Sequence, residues 1–480
     1  MSTPYFYSYL CAFCYLLFSC GQGDKLPSSS PAGFSSRDSL SKNVRPYLSY
    51  DEDLIALTHA ILVDGSGRTA QEEQTIIIDK GYFKEVGPTA TVKIPSQAKV
   101  INLAGKTVVP GIVGVHNHLH MPGISFLGEA AAYLYLASGV TTIQTCGAAS
   151  PYQELELAAQ IKKGQIAGPE IINSAPYISG EGGNPNMIIP RNETHLRDTM
   201  QFWIDQGVRW FKVYRHTKAE DLKVVIDVAH RHQAKVTGHL CSITFAEASR
   251  LGIDGIEHGL NSTSDFRQGK TYNMCNGSHA YMDSLEVDSE AVKELQQLMI
   301  DSGVFITSTL SIYEASIPER AFADERSLIA MTPTLRASYR ERRARLDQDE
   351  AKGQRLKRLH RIMAFERQFV QMGGLLSAGA DAGRHILPGF GDQRNFELLV
   401  EAGFSTEEAI QIMTSNGAKV LERTDIGSVA PGKKADLLIL DGDLRTEPSV
   451  IRYVEHVFKA GYAYSPKLLL KEVEGKIGPQ

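Results

Sequence analysis

The sequence predicts an α/β fold in which eight parallel strands and their helices close into a barrel, with a small β-sandwich domain formed by both chain ends. Three observations predict it. Residues 109–424 alternate short β-rich runs with amphipathic helical stretches, these β/α units number eight, and β-rich runs with turns flank them on both sides. Such units in series favour a closed (β/α)8 barrel of the TIM-like type.

An uncharged, mostly apolar segment runs from Tyr5 to Ser19. It is too short to cross a bilayer comfortably as a helix and has the length of the apolar region of a secretory signal. The segment ends in Leu17-Phe18-Ser19-Cys20, which resembles the lipobox of bacterial lipoproteins. We therefore expect residues 1–19 to be a lipoprotein signal and Cys20 to carry the lipid, although no Lys or Arg precedes the apolar run. The alternative is a soluble protein with an apolar N-terminal tail.

These features predict a place in the bacterial cell envelope, with lipid anchoring on the periplasmic or surface side and membrane contact only through that anchor. Residues 20–50 are rich in Ser, Pro and Gly, a composition typical of a flexible tether. Residues 51–108 and 425–475 contain β-rich runs separated by turns, which predict the strands of a small antiparallel sheet. Together these two segments form the predicted small domain.

Within the barrel region, eight runs have the composition of strands: 108–116, 139–146, 170–175, 208–214, 234–240, 252–258, 303–310 and 373–381. The alternative architecture is an open doubly wound sheet, but no GxGxxG turn follows the first strand. The charged, Arg-rich stretch 318–371 predicts solvated helices inserted between the seventh and eighth strands.

The charge balance excludes a strongly basic nucleic-acid binder. The chain has 50 Lys and Arg against 55 Asp and Glu, a formal net charge of -5. Of its 6 cysteines, Cys11, Cys14 and Cys20 lie in or at the end of the predicted signal, and the other three are widely spaced. We therefore expect neither a disulfide scaffold nor a cysteine-based zinc site.

Six side chains that suit a metal site lie at or near the ends of five predicted strands. They are His116 and His118 on the first strand, Lys212 on the fourth, His239 on the fifth, His258 on the sixth and Asp381 on the eighth. The carboxyl ends of barrel strands converge on one rim, so these residues are expected to meet there. Histidine nitrogens and carboxylate oxygens are ligands for Zn²⁺ and similar ions. Residues two apart on a strand share a face, which places both histidines of His-Asn-His on one metal.

Lys212 needs a separate argument, because an ammonium group beside two cations would be repelled. A partly desolvated lysine with a lowered pKa can react with CO₂ and form an anionic carbamate that bridges two metals. The alternative is an ion pair between Lys212 and a carboxylate inside the barrel. The sequence alone leaves both alternatives open.

Several motifs together resemble the amidohydrolase superfamily. They include VVPGIVGVHNHLH, GVRWFKVY, KVTGHL, GIEHG, SAGADAG and, near the end, IGSVAPGKKADLLILDGD. Within that superfamily the chain resembles the binuclear-metal branch, and in particular imidazolonepropionase-like and prolidase-like members of the Xaa-Pro or Xaa-Arg dipeptidase type. The matches cover nearly the whole chain after the signal. One departure is Thr145-Cys146 after the second strand, where such relatives often carry Arg-Asp.

The resemblance implies two divalent ions, with Zn²⁺ expected first and Mn²⁺, Co²⁺ or Fe²⁺ also suitable. His116, His118 and Asp381 would hold one ion, His239 and His258 the other, and Lys212, N6-carboxylated, would bridge them. Asp381 would also transfer a proton during hydrolysis, and Tyr214 would donate a hydrogen bond to the developing oxyanion. His120, Arg384 and His385 are loop residues that we expect to contact substrate.

The resulting functional hypothesis is a metal-dependent hydrolase of amide bonds in small substrates such as dipeptides. The alternative within the superfamily is hydrolysis of cyclic amides, lactones or other non-peptide amides and esters. Imidazolonepropionases lack the bridging lysine, so Lys212 argues against their substrate. A non-enzymatic binding lipoprotein is disfavoured by the intact ligand set. The expected partners are a small-molecule or dipeptide substrate and, in a homo-oligomer, further copies of the chain, with no nucleic acid.

Overall fold

The computed structural model of the protein describes residues 40–50, 52–349 and 353–479. The predicted signal, residues 1–19, and the predicted lipidation site Cys20 lie outside the described residues, so both stay predictions. Within the described ranges, no helix combines the length and the apolar composition that crossing a membrane requires.

The final part of the predicted tether packs onto the fold. Leu40 and Val44 are only 5% and 1% exposed, and Leu48 forms a β-bridge with Tyr464. A short 3-10 helix, Arg45–Tyr47, lies between Val44 and Leu48. The expectation of a flexible tether as far as residue 50 is therefore wrong for residues 40–50, because their apolar side chains are covered by the core.

The strands that precede the barrel region are β1 (Leu54–Leu62), β2 (Gln71–Asp79), β3 (Tyr82–Pro88), β4 (Lys99–Asn102) and β5 (Thr107–Pro110). The strands of the barrel region are β6 (Ile112–Asn117), β7 (Val140–Thr145), β8 (Glu170–Ile172), β9 (Trp210–Val213), β10 (Lys235–Gly238), β11 (Gly255–Glu257), β12 (Phe305–Ser308) and β13 (Leu376–Ala378). The strands that follow are β14 (Leu437–Leu440), β15 (Val454–Lys459) and β16 (Tyr462–Tyr464). All eight strand candidates of the barrel region therefore contain a strand.

Most of the α-helices lie between the barrel-region strands. The first seven are α1 (Glu129–Ala137), α2 (Pro151–Lys162), α3 (Glu193–Asp205), α4 (Ala219–Arg231), α5 (Phe245–Leu251), α6 (Tyr281–Ser284) and α7 (Glu290–Asp301). The remaining ones are α8 (Leu310–Glu314), α9 (Glu325–Ala330), α10 (Pro333–Asp347), α11 (Gln354–Gln371), α12 (Phe390–Glu401), α13 (Thr406–Gln411), α14 (Gly417–Val420) and α15 (Pro466–Val473). The charged stretch 318–371 is helical, as predicted, through α9, α10 and α11.

The two ends of the described chain meet in one eight-stranded sheet with the order β16-β15-β14-β5-β1-β2-β3, in which β4 also pairs with β1. The antiparallel pair of β5 and β14 joins the N-terminal strands to the C-terminal ones. The sheet is mixed rather than antiparallel as predicted, because β1 runs parallel to β4 and β5. The arrangement of these strands as a two-layer sandwich stays a prediction.

The predicted first barrel strand, 108–116, is divided between two sheets. Its first part belongs to β5 and its second part to β6, with Gly111 between them. A Cβ at Gly111 would lie 2.2 Å from the Thr141 side-chain oxygen. Glycine therefore lets the chain pass close to β7 as it leaves one sheet for the other.

The barrel-region strands form two parallel sheets, β6-β7-β8 and β9 to β13 in chain order. Parallel bridges join Ser174 to Trp210 and Ile178 to Val213, which connects the segment after β8 with β9. After β13, the Asp381 amide donates a hydrogen bond of 2.9 Å to the His116 carbonyl at the end of β6. Every residue of β6, β7, β9 and β12 is buried, and helices cover these strands with apolar faces such as that of α4.

Candidate metal centre

The six predicted metal-binding side chains gather at the carboxyl ends of their strands. His116 lies in β6 and Lys212 in β9, whereas His118, His239, His258 and Asp381 lie in the segments that directly follow β6, β10, β11 and β13. Five of the six line a cavity of about 780 Å³, and His116 is fully buried beside it. Parallel strands of similar length bring these ends to one rim, which explains how residues distant in sequence meet.

Three imidazoles surround the Asp381 carboxylate. The Nε2 atom of His118 lies 3.1 Å from Oδ1, and the Nε2 atom of His116 lies 3.5 Å from the same oxygen. The Nδ1 atom of His258 lies 3.7 Å from Oδ2. One potential ligand atom each from His116, His258 and Asp381 lies within 4.8 Å of the others. This spacing and this set of nitrogen and oxygen donors fit a divalent cation.

Lys212 is buried at the centre of this group. Lys212 is only 2% exposed, and its Nζ atom lies 3.0 Å from His116 Nε2. Among the described residues, no carboxylate forms an ion pair with it, so the alternative of a simple ion pair finds no support. The protein groups around Lys212 raise its pKa, rather than lowering it as the carbamate alternative would require. Burial lowers the pKa, but the carboxylates of Glu257 and Asp381 help to outweigh burial and raise it.

His239 completes the group from the end of β10. Its ring centroid lies 4.5 Å from that of His258 and 4.9 Å from that of Tyr214. Burial is the largest cause that lowers the pKa of both His239 and His118 to about 3. Both rings are therefore neutral near pH 7, which is the form that binds a metal ion.

Glu257, which the sequence analysis missed, orients His116. Its Oε2 atom lies 2.6 Å from His116 Nδ1, and both side chains are fully buried. Burial would raise the pKa of Glu257, but His116 and Lys212 outweigh it and lower the pKa to about 2. The ionised carboxylate leaves His116 Nε2 directed toward Lys212 and Asp381. A charged residue inside the buried strand β11 was the sequence signal for such a role.

Cys146 lies behind this pair, at the position where the sequence departs from its relatives. Its thiol donates a hydrogen bond of 3.3 Å to Glu257 Oε1, and its Sγ atom lies 3.8 Å from Thr237 Oγ1. The thiol is buried and not part of a disulfide. Cys146 therefore contacts the carboxylate that orients His116 rather than lining the cavity.

The predicted substrate-contacting residues differ in position. Tyr214, His120 and Arg384 line the cavity. His385 does not line it: the His385 ring packs 5.8 Å from that of Tyr339, and its Nε2 atom lies 3.1 Å from Ser338 Oγ. The contact of His385 with substrate stays a prediction. In this structure the chain after Arg384 turns its imidazole toward the inserted helix α10.

Tyr177 also faces the cavity, and the sequence analysis missed it. Its hydroxyl lies 3.2 Å from His120 Nε2, and its ring centroid is 5.5 Å from that of Tyr214. The ammonium nitrogen of Lys212 is 5.4 Å from the centroid of the Tyr177 ring. Tyr177 follows the short strand β8, and it lies beyond the predicted strand 170–175, at whose end no histidine or carboxylate pointed to a site.

Cys241 and Cys275 form a disulfide, with their Cα atoms 4.8 Å apart. We expected no disulfide scaffold from the sequence, because the two cysteines are far apart and belong to no paired-cysteine motif. This single bond closes a loop that begins after β10 and extends past β11. The residues of that loop include several that line the cavity.

Replacement of Glu257 by Gln removes the negative charge that orients His116 while keeping the size of the side chain. We expect the affinity for Zn²⁺ or Mn²⁺ to fall by roughly 10- to 100-fold, as is usual for partners of metal-binding histidines. Competition with a chromogenic chelator measures this affinity.

A matched control is Glu366→Gln. Glu366 is also fully buried, and burial raises its pKa to about 8, so it is neutral near pH 7. It hydrogen-bonds Ser308 at 2.8 Å rather than any of the six side chains. Equal loss of metal affinity in both variants would contradict the orienting role of Glu257.

Comparison with known proteins identifies the family. The model of the amidohydrolase family matches residues 107–471. An imidazolonepropionase of Deinococcus radiodurans is 22% identical over 382 residues, which cover 77% of this chain and 86% of that protein. A dihydroorotase of Pelobacter propionicus is 30% identical over 101 residues, but the match spans only 20% of this chain and 23% of the dihydroorotase.

Among solved structures, a Xaa-Pro dipeptidase with methionine bound in its active site has the same fold. The TM-score is 0.64 at 20% sequence identity, and the alignment covers 86% of this chain and 100% of the dipeptidase. At this identity the likeness establishes the fold alone. The family match extends over more than half of the chain and includes all six side chains of the cluster. This protein is therefore a member of the amidohydrolase family.

Proposed function

We propose that this protein is a metal-dependent hydrolase that cleaves amide bonds of small substrates such as dipeptides. The observation that carries the proposal is the convergence of three imidazoles on Asp381 beside a buried lysine, inside a cavity large enough for a small ligand. The imidazolonepropionase and dipeptidase likenesses support hydrolysis of carbon–nitrogen bonds as the chemistry.

The donor set fits two divalent cations. His116, His118 and Asp381 would hold one, His239 and His258 the other, and carboxylated Lys212 would contact both. Buried Lys212 Nζ faces His116 Nε2 without an ion-paired carboxylate among the described residues, a position suited to a bridging ligand. Carboxylation joins CO₂ to the neutral amine with loss of one proton, which turns the lysine into an anion. Zn²⁺ suits these donors, as do Mn²⁺, Co²⁺ and Fe²⁺.

Bound divalent cations lower the pKa of a bound water molecule toward neutral pH and polarise a scissile carbonyl group. Asp381 would accept the proton of the attacking water and deliver it to the leaving amine. It is suited to this role because its side chain is 22% exposed to the cavity while two histidines hold it in place. Tyr214 would donate a hydrogen bond from its hydroxyl group to the oxyanion, and the Tyr177–His120 pair lines the same cavity.

The second candidate function is hydrolysis of cyclic amides or lactones. The length of the match to the imidazolonepropionase favours it. Buried Lys212 favours the dipeptidase-like alternative, because the resemblance assigns a bridging lysine to that type. A screen of the metal-loaded protein with Xaa-Pro and Xaa-Arg dipeptides, N-acyl amino acids, and cyclic amides separates the two. Turnover of cyclic substrates alone would contradict the leading proposal.

We also propose that β6 to β13 close into a TIM-like barrel. The bridges between the β8 segment and β9, and the hydrogen bond from Asp381 to the β6 residue His116, support closure. Gly379 lies at the second junction, where a Cβ would be only 2.5 Å from the His116 backbone nitrogen. The close approach of two backbones at this junction is compatible with a closed barrel of short strands.

For the location, we propose a lipid-anchored protein of the bacterial cell envelope, with Cys20 as the lipidated residue. The Cys241–Cys275 disulfide supports an oxidising compartment outside the cytosol. The anchor is the only proposed contact with the membrane.

Replacement of Asp381 by Asn keeps the shape of the side chain but removes the proton acceptor. We expect turnover to fall by a factor on the order of 10² to 10⁴, with one weakened metal ligand. Steady-state kinetics with a dipeptide that passes the screen, together with metal analysis, measures both effects. Asp301→Asn, at the exposed end of α7, is the control. Near-normal turnover by Asp381→Asn would contradict the proposed proton transfer.

Replacement of Lys212 by Ala removes the proposed bridging ligand. We expect loss of bound metal and of turnover, with partial recovery of both when a short carboxylic acid such as propionate is added. Lys235→Ala is the matched control, because Lys235 lies on the adjacent strand β10 and pairs with Glu422 at 3.0 Å instead. Carbon-13 NMR of the protein in labelled bicarbonate is expected to show a carbamate signal that Lys212→Ala lacks. Full metal content in Lys212→Ala would argue against the bridging role.

Replacement of Cys20 by Ala removes the proposed acceptor of the lipid. When the full chain is expressed in a bacterium that processes lipoproteins, we expect the variant to move from the membrane fraction to the soluble fraction, with its turnover unchanged. Fractionation followed by immunoblotting measures the shift, and Cys146→Ala serves as the cysteine control. Equal membrane association of Cys20→Ala and the unchanged protein would refute lipidation.

A further inference from the structure

One wall of the cavity carries two arginines that the proposed reaction does not use. Arg215 follows β9, and Arg267 lies in the loop that the Cys241–Cys275 disulfide closes. Both line the same cavity as Lys212 and His239. We name these two arginines the basic subsite.

Arg267 is almost completely buried without a compensating acid. The residue is 8% exposed, and its Nε atom has no hydrogen-bond partner. Its Nη1 atom lies 3.0 Å from Cys241 Sγ, a weak acceptor. No carboxylate in the described part of the chain forms an ion pair with it. Burial is the main cause that lowers the pKa of this guanidinium. The neighbouring Tyr281 hydroxyl acts in the opposite direction, and nearby Arg215 in the same direction as burial.

Arg215 reaches the disulfide from the other side. It is exposed toward the cavity, and its Nη2 atom lies 3.7 Å from Cys275 Sγ. Another cation close to Arg267, Lys270, donates to the carbonyl groups of Ser242 and Thr271 rather than to an acid. The disulfide therefore holds two positive side chains on one wall. Of the described residues that line the cavity, Asp381 is the one acid.

An unpaired charge in a buried position is unfavourable unless a ligand of opposite charge binds there. A guanidinium group also has a planar arrangement of donors that matches the two oxygens of a carboxylate. We infer that the basic subsite binds a carboxylate group of the substrate, so that the substrate is an amide carrying a free acid, such as a dipeptide or an N-acyl amino acid. This inference rests on the proposed function and adds a requirement for a negative charge on the substrate.

Binding experiments test the subsite without turnover. The zinc-loaded protein is titrated calorimetrically with N-acetyl derivatives of alanine, proline and arginine, and with the carboxamide of each. We expect at least one acid to bind roughly tenfold to a hundredfold more tightly than its carboxamide, the range for hydrogen bonds to a charged group. Equal affinity for every acid and carboxamide would overturn the inference. Tighter binding of inorganic phosphate than of all the acids would overturn the assignment to a carboxylate.

Variants test whether the two arginines cause the preference for the acid over the carboxamide. Arg267→Gln and Arg215→Gln are each expected to reduce the preference for the acid at least fivefold, with little change in carboxamide affinity. Arg267→Lys is expected to retain part of the preference. Arg250→Gln, at the exposed end of α5, is the matched control and is expected to retain all of it. Because Arg215 is exposed, Arg215→Gln tests the inference even if substitution of buried Arg267 prevents folding. An unchanged preference in Arg215→Gln and in a folded Arg267→Gln would overturn the inference.

Failure of the basic subsite and failure of the proposed dipeptidase function give different results. A preference for acids that is lost in the arginine variants, without hydrolysis of any amide, would retain the subsite and reject the dipeptidase proposal. Hydrolysis of dipeptides and of their carboxamides with equal KM would retain the dipeptidase proposal and reject the subsite.

Discussion

Burial of several imidazoles and a lysine around the Asp381 carboxylate is the constraint on which the rest of this structure depends. Polar groups removed from water are costly unless each finds a partner or a ligand. Glu257 satisfies one nitrogen of His116, and Thr309 satisfies one nitrogen of His258 at 2.9 Å. The ring nitrogens and oxygens that remain face one small region. A centre built in this way is ready for cations, because few of its donors must move to bind them.

The backbone supports the same region. Gly379 lets the segment after β13 approach the backbone of His116, and the amide of Asp381 then bonds to the His116 carbonyl. One close approach thus fixes two proposed ligands relative to each other. The loop closed by the disulfide, together with the segment after β9, adds the basic wall on another side of the cavity. The cavity consequently combines a cluster of imidazoles around one carboxylate with a positive wall, an arrangement suited to a polar substrate that carries its own negative charge.

Much of this could be predicted from the sequence. The strands of the barrel region were visible because most are short apolar runs, and the six candidate metal-binding side chains because they stand at or near the ends of those runs. Residues whose importance depends on packing were not visible. Glu257 contacts His116 across the fold, the partners Cys241 and Cys275 have no local signature, and His385 follows a turn whose direction the sequence does not encode locally. The direction of the pKa shift of Lys212 could not be predicted, because its carboxylate neighbours Glu257 and Asp381 come from other strands.

We propose that five side chains lining this cavity, together with buried His116 beside it, bind two divalent cations. Anomalous X-ray diffraction from crystals of the zinc-loaded protein, recorded on both sides of the zinc absorption edge, tests this most directly. The account predicts two anomalous peaks about 3.5–4 Å apart, one near His116, His118 and Asp381 and the other near His239 and His258. A cavity without anomalous peaks, or with one peak distant from these side chains, would contradict it.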